Sequence, residues 1–196
     1  MIKIAVIGEI GAGKSYIAKQ FGYPVFNADN EVVQLYRKNR KCYKQLKKKF
    51  PTYINSFPIK KSKLSEAVLD NQNNLKKIIK IVHPLVKKKM NIFFKKNKNK
   101  KIVILDIPLL IENKINKKNY VLVFVDAKKK EIKKRLKRRR DFSKKIFEIL
   151  KKLQLPVEKK KKKSNFVIKN NFKHDSTNKN VKKVLKKILL NDRSIA

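Results

Sequence analysis

The stretch GEIGAGKS, residues 8 to 15, constrains the fold of this chain most, because it holds three of only four glycines in 196 residues. Glycine is required where the backbone takes a positive φ or where another group approaches the main chain closely. The spacing fits G-x-x-x-x-G-K-[ST], a loop whose N–H groups cradle phosphates while Lys14 reaches the β- and γ-phosphates and Ser15 binds Mg²⁺. The alternative is an ordinary strand-to-helix turn, but such a turn needs no Lys-Ser pair.

The apolar pattern around this loop is typical of a parallel sheet with helices on both faces. Buried strands are predicted at Ile2–Ile7, Pro24–Asn27, Lys101–Ile107, Tyr120–Val125 and Asn165–Lys169. Helical spacing predicts Lys14–Phe21, Asn30–Phe50 in one or two pieces, Lys63–Leu69, Asn73–Lys96, Lys128–Arg140, Ser143–Lys152 and Asn178–Leu190. The helical stretch between the second and third strands is too long for one crossover, so we expect a cap over the carboxyl edge of the sheet, where ligands bind.

The charge of the chain is strongly positive, since 55 Lys and Arg against 14 Asp and Glu give a formal net charge of +41. Such an excess is typical of nucleic-acid-binding proteins. The lysines do not cluster, however, and occupy apparently solvent-facing positions in runs such as Lys47–Lys49, Lys128–Lys130 and Lys159–Lys163. We prefer a codon bias toward Lys, Asn and Ile as the explanation and expect no specific nucleic-acid partner. The alternative, that the lysines are selected to bind nucleic acid or another anionic surface, stays open.

Cysteine usage and hydropathy indicate the compartment. Cys42 is the single cysteine, so the chain has no intrachain disulfide framework, and it lacks the His and Cys ligands of a structural zinc site. No apolar run approaches the roughly 18 residues of a membrane span, and the N-terminus runs straight into a strand instead of a signal peptide. We expect a cytoplasmic protein without membrane association. The sequence does not give the oligomeric state, and a monomer is the default expectation.

Acidic residues follow two of the predicted strands. Asp29 comes after the second strand, where its carboxylate could take a proton from an acceptor hydroxyl, but Asp is equally common as a helix N-cap. Asp106 ends the third strand and either orients Mg²⁺ or its waters or merely terminates the strand. Glu112 follows in the segment PLLIE.

Basic residues form a second group of candidates. Arg135, Arg138, Arg139 and Arg140 lie within six residues of a chain that otherwise uses Lys, which suggests a need for planar, bidentate guanidinium groups. A helix with a basic face is the alternative. The pair His83-Pro84 is by itself typical of a structural histidine beside a proline that kinks or restarts a helix.

Taken together, these stretches resemble the dephospho-coenzyme A kinase family from Met1 to about Asn171, in order and with similar spacing. The loop alone is shared by many kinases, whereas the later motifs are more specific. The matches are Gly8–Tyr16 with G-G-I-G-S-G-K-S-T, Asn27–Asp29 with D-A-D, Val82–Pro84 with L-H-P, Pro108–Glu112 with P-L-L-x-E, Arg135 and Arg139 with the lid arginines, Gln154 with the glutamine of the helix after the lid arginines, and Ser164–Asn170 with A-D-x-x-I-x-N.

The chain also departs from the family pattern. Asn27 replaces the first acid of D-A-D, which puts a metal or water contact from that position in doubt, and Tyr16 replaces the usual Thr. Lys61 stands where the family has the arginine of R-x-x-L, so that a compact ammonium group replaces a planar guanidinium. Ser164-Asn165 replaces Ala-Asp.

The resemblance implies an α/β, three-layer phosphate-loop NTPase fold, with a five-stranded parallel sheet, a helical substrate subdomain and a lid. The implied core covers residues 1–54, 99–134 and 165–190, the CoA-binding subdomain lies near 55–98, and the lid lies near 135–160. The implied reaction uses ATP and Mg²⁺ to phosphorylate the ribose 3′-hydroxyl of dephospho-CoA.

The resemblance also implies residue roles. Asp29 would be the catalytic base, Lys14 would hold the β- and γ-phosphates, and Arg139 would neutralise charge on the moving phosphoryl group. The implied ATP-binding residues are Gly11, Ala12, Gly13, Lys14, Ser15, Tyr16, Arg135, Arg139 and Asn170, with Ser15 also ligating Mg²⁺. The implied substrate-binding residues are Asp29, Lys61, His83, Pro84, Leu109 and Glu112.

Other functions make different demands on the sequence. A nucleoside-monophosphate or other small-metabolite kinase would carry its own acceptor motifs, and we find none. A regulatory GTPase needs a D-x-x-G switch, and no glycine follows Gly22. A basic nucleic-acid-binding protein on the same fold would expose aromatic side chains for stacking, whereas most Phe and Tyr residues here fall at apolar-periodic positions.

Overall fold

A computed structural model of the protein describes residues 1–112, 119–138 and 142–193. Within these ranges, five strands form a single all-parallel sheet in the order β2-β3-β1-β4-β5. The strands are β1 (Ile2–Gly8), β2 (Val25–Asn27), β3 (Ile102–Asp106), β4 (Tyr120–Ala127) and β5 (Phe166–Asn170). The predicted α/β fold with a five-stranded parallel sheet is confirmed.

The position of β1 in the middle of the sheet decides where a ligand can bind. Every residue of β3 is buried, and so is every residue from Ile4 to Gly8 of β1. Both faces of the sheet are therefore covered. The strand order reverses at β1, since the chain first fills the β3 side and then the β4 side. Ligands of open parallel sheets bind at this switch point, beyond the carboxyl ends of the strands. The glycine-rich loop leaves β1 at that point.

Nine helices lie within the described residues. They are α1 (Lys14–Gln20), α2 (Ala28–Lys38), α3 (Arg40–Lys49), α4 (Lys61–Asp70), α5 (Asn73–Lys96), α6 (Lys129–Lys137), α7 (Lys144–Lys152), α8 (Val157–Lys162) and α9 (His174–Arg193). Not one of them is long and apolar enough to cross a membrane.

The helices follow the prediction in part. The stretch 30–50, predicted as one or two helices, is two, because Asn39 caps α3 by accepting a 2.8 Å hydrogen bond from the Cys42 N–H. Helix α5 runs through Pro84 and does not restart there. Helix α8 was not predicted, since the lysines after Pro156 have no apolar period, and α9 begins at His174, earlier than expected.

The chain forms two compact units. The first contains the described residues of Met1–Asn27, Asn99–Phe142 and Lys151–Ala196, which include the whole sheet. Helices α1 and α9 pack against each other, α9 also packs on β5, and α8 packs on β1. This unit carries the glycine-rich loop.

The second unit contains Ala28–Lys98 and Ser143–Leu150 and has an apolar core of its own. The prediction placed residues 28–54 in the sheet core, but α2 and α3 pack on α5, because Leu35, Cys42 and Leu46 are buried in this second core. Ile149 of α7, assigned to the lid, is buried in the same cluster. Burial raises the pKa of the Cys42 thiol to about 11. The assignment of a CoA-binding role to this unit stays a prediction.

Candidate active site

The loop between β1 and α1 has the backbone that its glycines allow. Gly11 and Gly13 have φ of +88° and +91°, a region that side chains other than glycine rarely adopt. A Cβ on Gly11 would lie 3.0 Å from the side chains of Ile132 and Leu136 of α6, and one on Gly13 would lie 2.6 Å from the Asn170 amide nitrogen. The loop is therefore both conformationally and sterically restricted to glycine at these two positions.

Lys14 is the first residue of α1, and its side chain is only 8 % exposed. Its ammonium group donates a 2.8 Å hydrogen bond to the Glu9 carbonyl and so folds back across the loop. Ser15 and Tyr16 follow in the first turn of α1, where both are exposed. A helix N-terminus that begins directly after such a loop is a favourable place for phosphate, because its free N–H groups and its dipole attract anions.

The segment after β5 packs against this loop. The amide of Asn170 donates a 2.8 Å hydrogen bond to the Ala12 carbonyl. The Arg135 guanidinium lies 4.5 Å from the ring centre of Phe172, a cation–π distance. Tyr16 meets the ring of His174 edge-on, at 6.5 Å between centroids. The structure thus brings together the predicted ATP-binding residues 11–16, Arg135 and Asn170, while Arg139 lies outside the described residues.

Asp106 ends β3 beside β2, and it is buried. Its carboxylate accepts a hydrogen bond from the side-chain amide of Asn27, its register partner on β2. An aspartate at position 27 would instead set two carboxylates against each other, and like charges at this distance repel. Asn27 therefore holds Asp106 in place, which an acid could not do without a shared proton or a metal ion.

Glu112 is held by two groups of the first unit. One carboxylate oxygen lies 2.8 Å from the Lys160 ammonium nitrogen and accepts a 3.0 Å hydrogen bond from the Leu155 N–H. The side chains of Lys160 and Glu112 are 2 % and 9 % exposed. Glu112 therefore ties the end of the PLLIE segment to α8, and its predicted contact with substrate stays a prediction. Leu109 of the same segment is half-buried.

The other predicted substrate residues lie in the second unit. Asp29 is exposed in the first turn of α2, which begins at Ala28, so Asp29 lies inside the helix and not at its N-cap. Lys61 is the exposed first residue of α4. His83 and Pro84 lie on α5, where burial lowers the pKa of the half-buried His83 below its usual value.

Comparison with known proteins identifies the family. A model of the family described as dephospho-CoA kinase matches residues 2–176. The dephospho-CoA kinase of Wolbachia sp. subsp. Brugia malayi (strain TRS) is 36 % identical over 170 residues, which cover 84 % of this chain and 87 % of that protein. The chain belongs to the dephospho-CoA kinase family. It is therefore a kinase, and the resemblance that the sequence predicted is confirmed.

Solved structures agree on the fold. The crystal structure of TT1252 from Thermus thermophilus matches with a TM-score of 0.75 at 26 % identity and covers 97 % of each chain. The dephospho-CoA kinase from Campylobacter jejuni matches with a TM-score of 0.63 at 23 % identity, covering 95 % of this chain and 96 % of that one. The phosphate-loop NTPase fold expected for the dephospho-CoA kinase family is confirmed.

One residue of the site was assigned wrongly from sequence. Lys160 lies in a run of five lysines that we assigned to solvent, yet its side chain is almost fully buried. A partial signal was available, because Glu112 is a rare acid in a strongly positive chain and a buried acid needs a partner. Nothing in the run itself distinguishes Lys160 from its neighbours.

Proposed function

We propose that the protein transfers the γ-phosphoryl group of ATP to the ribose 3′-hydroxyl of dephospho-CoA, giving CoA and ADP. The observation that carries the proposal is the phosphate loop, in which Gly11 and Gly13 take left-handed backbone and Lys14 folds over the loop, in a chain of the dephospho-CoA kinase family. In the reaction the acceptor oxygen forms a bond to the γ-phosphorus while the bond from that phosphorus to the leaving β-phosphate oxygen breaks.

ATP binding falls to the loop and the segments that pack on it. Loop N–H groups hold the phosphates, and the Lys14 ammonium exchanges the Glu9 carbonyl for phosphate oxygens. The Arg135 guanidinium packs on the ring of Phe172 and so lies beside the loop. Arg139, outside the described residues, is proposed to neutralise charge on the transferring group, a role in which arginine contributes large rate factors.

The residues near the loop suit Mg²⁺. The exposed Ser15 hydroxyl and the Asp106 carboxylate are hard oxygen donors on the first unit, and we propose Ser15 as a direct ligand. Within the described residues, no group of three His, Cys, Asp or Glu side chains forms a metal cage. Mg²⁺ at nucleotide sites usually takes one or two protein oxygens and completes its shell with substrate phosphates and water. When bound, the ion neutralises charge that develops on the phosphate oxygens.

The acceptor requires a base and a binding surface. We propose that Asp29 receives the proton of the 3′-hydroxyl, since its exposed carboxylate can reach a ligand and the helix is not capped by it. Lys61, His83, Pro84 and Leu109 are proposed to bind dephospho-CoA. The lowered pKa of His83 keeps its ring neutral at pH 7, so it offers one donor and one acceptor.

The proposal extends to the setting of the protein. We propose a cytoplasmic monomer without a specific nucleic-acid or membrane partner. The lysine-rich surface attracts anions in general, so any RNA binding should be weak, steeply salt-dependent and indifferent to sequence.

The product of the reaction tests this proposal. The purified protein, MgATP and dephospho-CoA should give a new phosphate monoester whose ³¹P signal couples to the ribose 3′ proton, and ADP in equal amount. Dephospho-CoA that lacks the 3′-hydroxyl should give no product. Lys14→Ala should lose most of the rate, because the positive charge that Lys14 places beside the β- and γ-phosphates no longer stabilises the transition state. A phosphate on any other atom, or none, would reject the proposal.

A further inference from the structure

We propose that Asn170 is a positioning residue that sets the orientation of the peptide between Ala12 and Gly13 in the phosphate loop. The inference rests on the proposed binding of nucleotide phosphates at this loop. It replaces the predicted role of Asn170 as a direct ATP ligand with an indirect one.

The carboxamide of Asn170 is engaged on both sides by the protein. The residue is 4 % exposed. Its nitrogen donates to the Ala12 carbonyl at 2.8 Å, and its oxygen accepts from the Phe172 N–H at 3.0 Å and from the Thr177 hydroxyl at 3.1 Å. Thr177 is fully buried. A side chain bound in this way has little freedom to turn toward a ligand.

The surroundings determine which end of the carboxamide faces the loop. The Phe172 N–H can only donate, so it must meet the Asn170 oxygen, and the Ala12 carbonyl can only accept, so it must meet the nitrogen. The flipped amide would place oxygen against oxygen at the loop. Backbone groups therefore fix the donor toward Ala12.

The hydrogen bond to Ala12 orients the next N–H. In a trans peptide the carbonyl of one residue and the N–H of the next point to opposite sides of the chain. Since the Ala12 carbonyl points to Asn170, the Gly13 N–H points away from it, toward the concavity where this motif holds phosphate. The missing side chain of Gly13 makes the contact possible, because a Cβ there would lie 2.6 Å from the Asn170 nitrogen.

This arrangement explains what an asparagine provides at the end of β5. Ser or Ala would be too short to reach the loop carbonyl while keeping the bonds to Phe172 and Thr177. Asp would keep the shape and the two accepted hydrogen bonds but would turn an acceptor toward the Ala12 carbonyl. Loss of the donor should release the peptide and weaken every ligand that binds through the loop N–H groups.

Calorimetric binding of MgATP and of magnesium tripolyphosphate, which has no base or sugar, tests the proposal. We would compare the wild type with Asn170→Asp and with the uncharged Asn170→Ala, well below their melting temperatures. Thr177→Val removes one bond to the Asn170 oxygen and spares the loop contact. Asn180→Ala is the matched control, because the Asn180 amide also donates to a backbone carbonyl, that of Lys169, at 2.9 Å.

Both Asn170 variants should bind MgATP and tripolyphosphate roughly tenfold or more weakly, by the same factor for both ligands, the usual effect of losing a buried hydrogen bond. Thr177→Val should bind both ligands about two- to fivefold more weakly than the wild type. Asn180→Ala should bind them with unchanged affinity. If Asn170→Ala weakened ATP but not tripolyphosphate, Asn170 would be a base ligand and the proposal would be wrong. Unchanged affinity for both ligands would also overturn it. A wild type that binds both ligands but leaves dephospho-CoA unphosphorylated would refute the proposed function alone.

Discussion

The ammonium nitrogen of Lys160 lies 2.8 Å from a carboxylate oxygen of Glu112, and both side chains are almost excluded from solvent. The next residue, Lys161, pairs with Asp126 at 3.2 Å, but there the side chains are 42 % and 36 % exposed. Two adjacent lysines thus make ion pairs that differ mainly in burial. An exposed pair contributes little to stability, whereas breaking a buried pair leaves an uncompensated charge.

We expect Lys160→Met to destabilise the protein by about 3–5 kcal/mol, because the Glu112 carboxylate stays buried without its counter-charge. Lys161→Met should change the free energy of unfolding by less than about 0.5 kcal/mol. Urea denaturation followed by circular dichroism measures both. A double variant, Glu112→Gln with Lys160→Met, should recover part of the loss, since the Gln oxygen still accepts from the Leu155 N–H. Equal effects of the two single lysine variants would contradict this account of burial.

Gly13→Val should abolish measurable ATP binding. The side chain would meet the Asn170 amide at 2.6 Å and would force valine into φ near +91°. Gly22→Ala is the control, because Gly22 has φ of +74° but open space around it. It should cost about 1–2 kcal/mol of stability from backbone strain and leave ATP affinity intact. Calorimetry on folded samples separates the two effects, and normal ATP affinity in Gly13→Val would mean that the loop has been misinterpreted.

Asp29→Asn should lower kcat for dephospho-CoA phosphorylation by roughly 10²–10⁴-fold, the usual contribution of a general base. Asn keeps the shape of the side chain but cannot accept the proton. The melting temperature should fall only slightly, since the change removes a negative charge from the first turn of α2, where it favours the helix dipole. Glu31→Gln, in the same turn, is the matched control and should leave kcat unchanged. A loss of only a few-fold in kcat, with a normal melting curve, would leave Asp29 a structural residue.

His83 should make stability depend on pH. Its pKa is lowered by burial in the folded protein, so the unfolded chain takes up a proton at a higher pH than the folded chain does. The stability that the neutral ring contributes is fully present above about pH 6.5, the ordinary pKa of histidine. This stability is lost as the pH falls below that value. The wild type should therefore lose more unfolding free energy between pH 7.5 and 5.5 than His83→Gln. Parallel pH profiles for the two proteins would show that His83 is not the group responsible.

The central fold could be predicted from sequence because β1, β3 and β4 are short runs rich in Val, Ile and Leu, and the only dense glycine cluster follows the first of them. The packing of the helical unit was harder to predict. Residues 28–54 were assigned to the sheet core, since periodicity shows which face of α2 and α3 is apolar but not which partner covers it. Their partner, α5, lies more than twenty residues further along the chain.

The site was predicted only in part, because sequence motifs encode local spacing but not contacts between distant segments. Gly11, Gly13 and Lys14 act through spacing within one short segment, so the sequence contains their geometry. Asn170 was singled out by a motif, but its contact with Ala12 spans 158 residues and depends on how β5 and the loop pack. No sequence pattern distinguishes Lys160 from the neighbouring lysines, because tertiary structure alone decides which of the five is buried.

The most direct test of the account is kcat/KM for MgATP-dependent phosphorylation, measured side by side with dephospho-CoA, adenosine, AMP and shikimate as acceptors. We predict that dephospho-CoA exceeds each of the others by at least about a hundredfold, because a site that binds one acceptor through specific polar contacts rejects acceptors that leave those groups unpaired. Comparable or faster turnover of AMP, adenosine or shikimate, in protein that is folded and binds ATP, would contradict the proposed function.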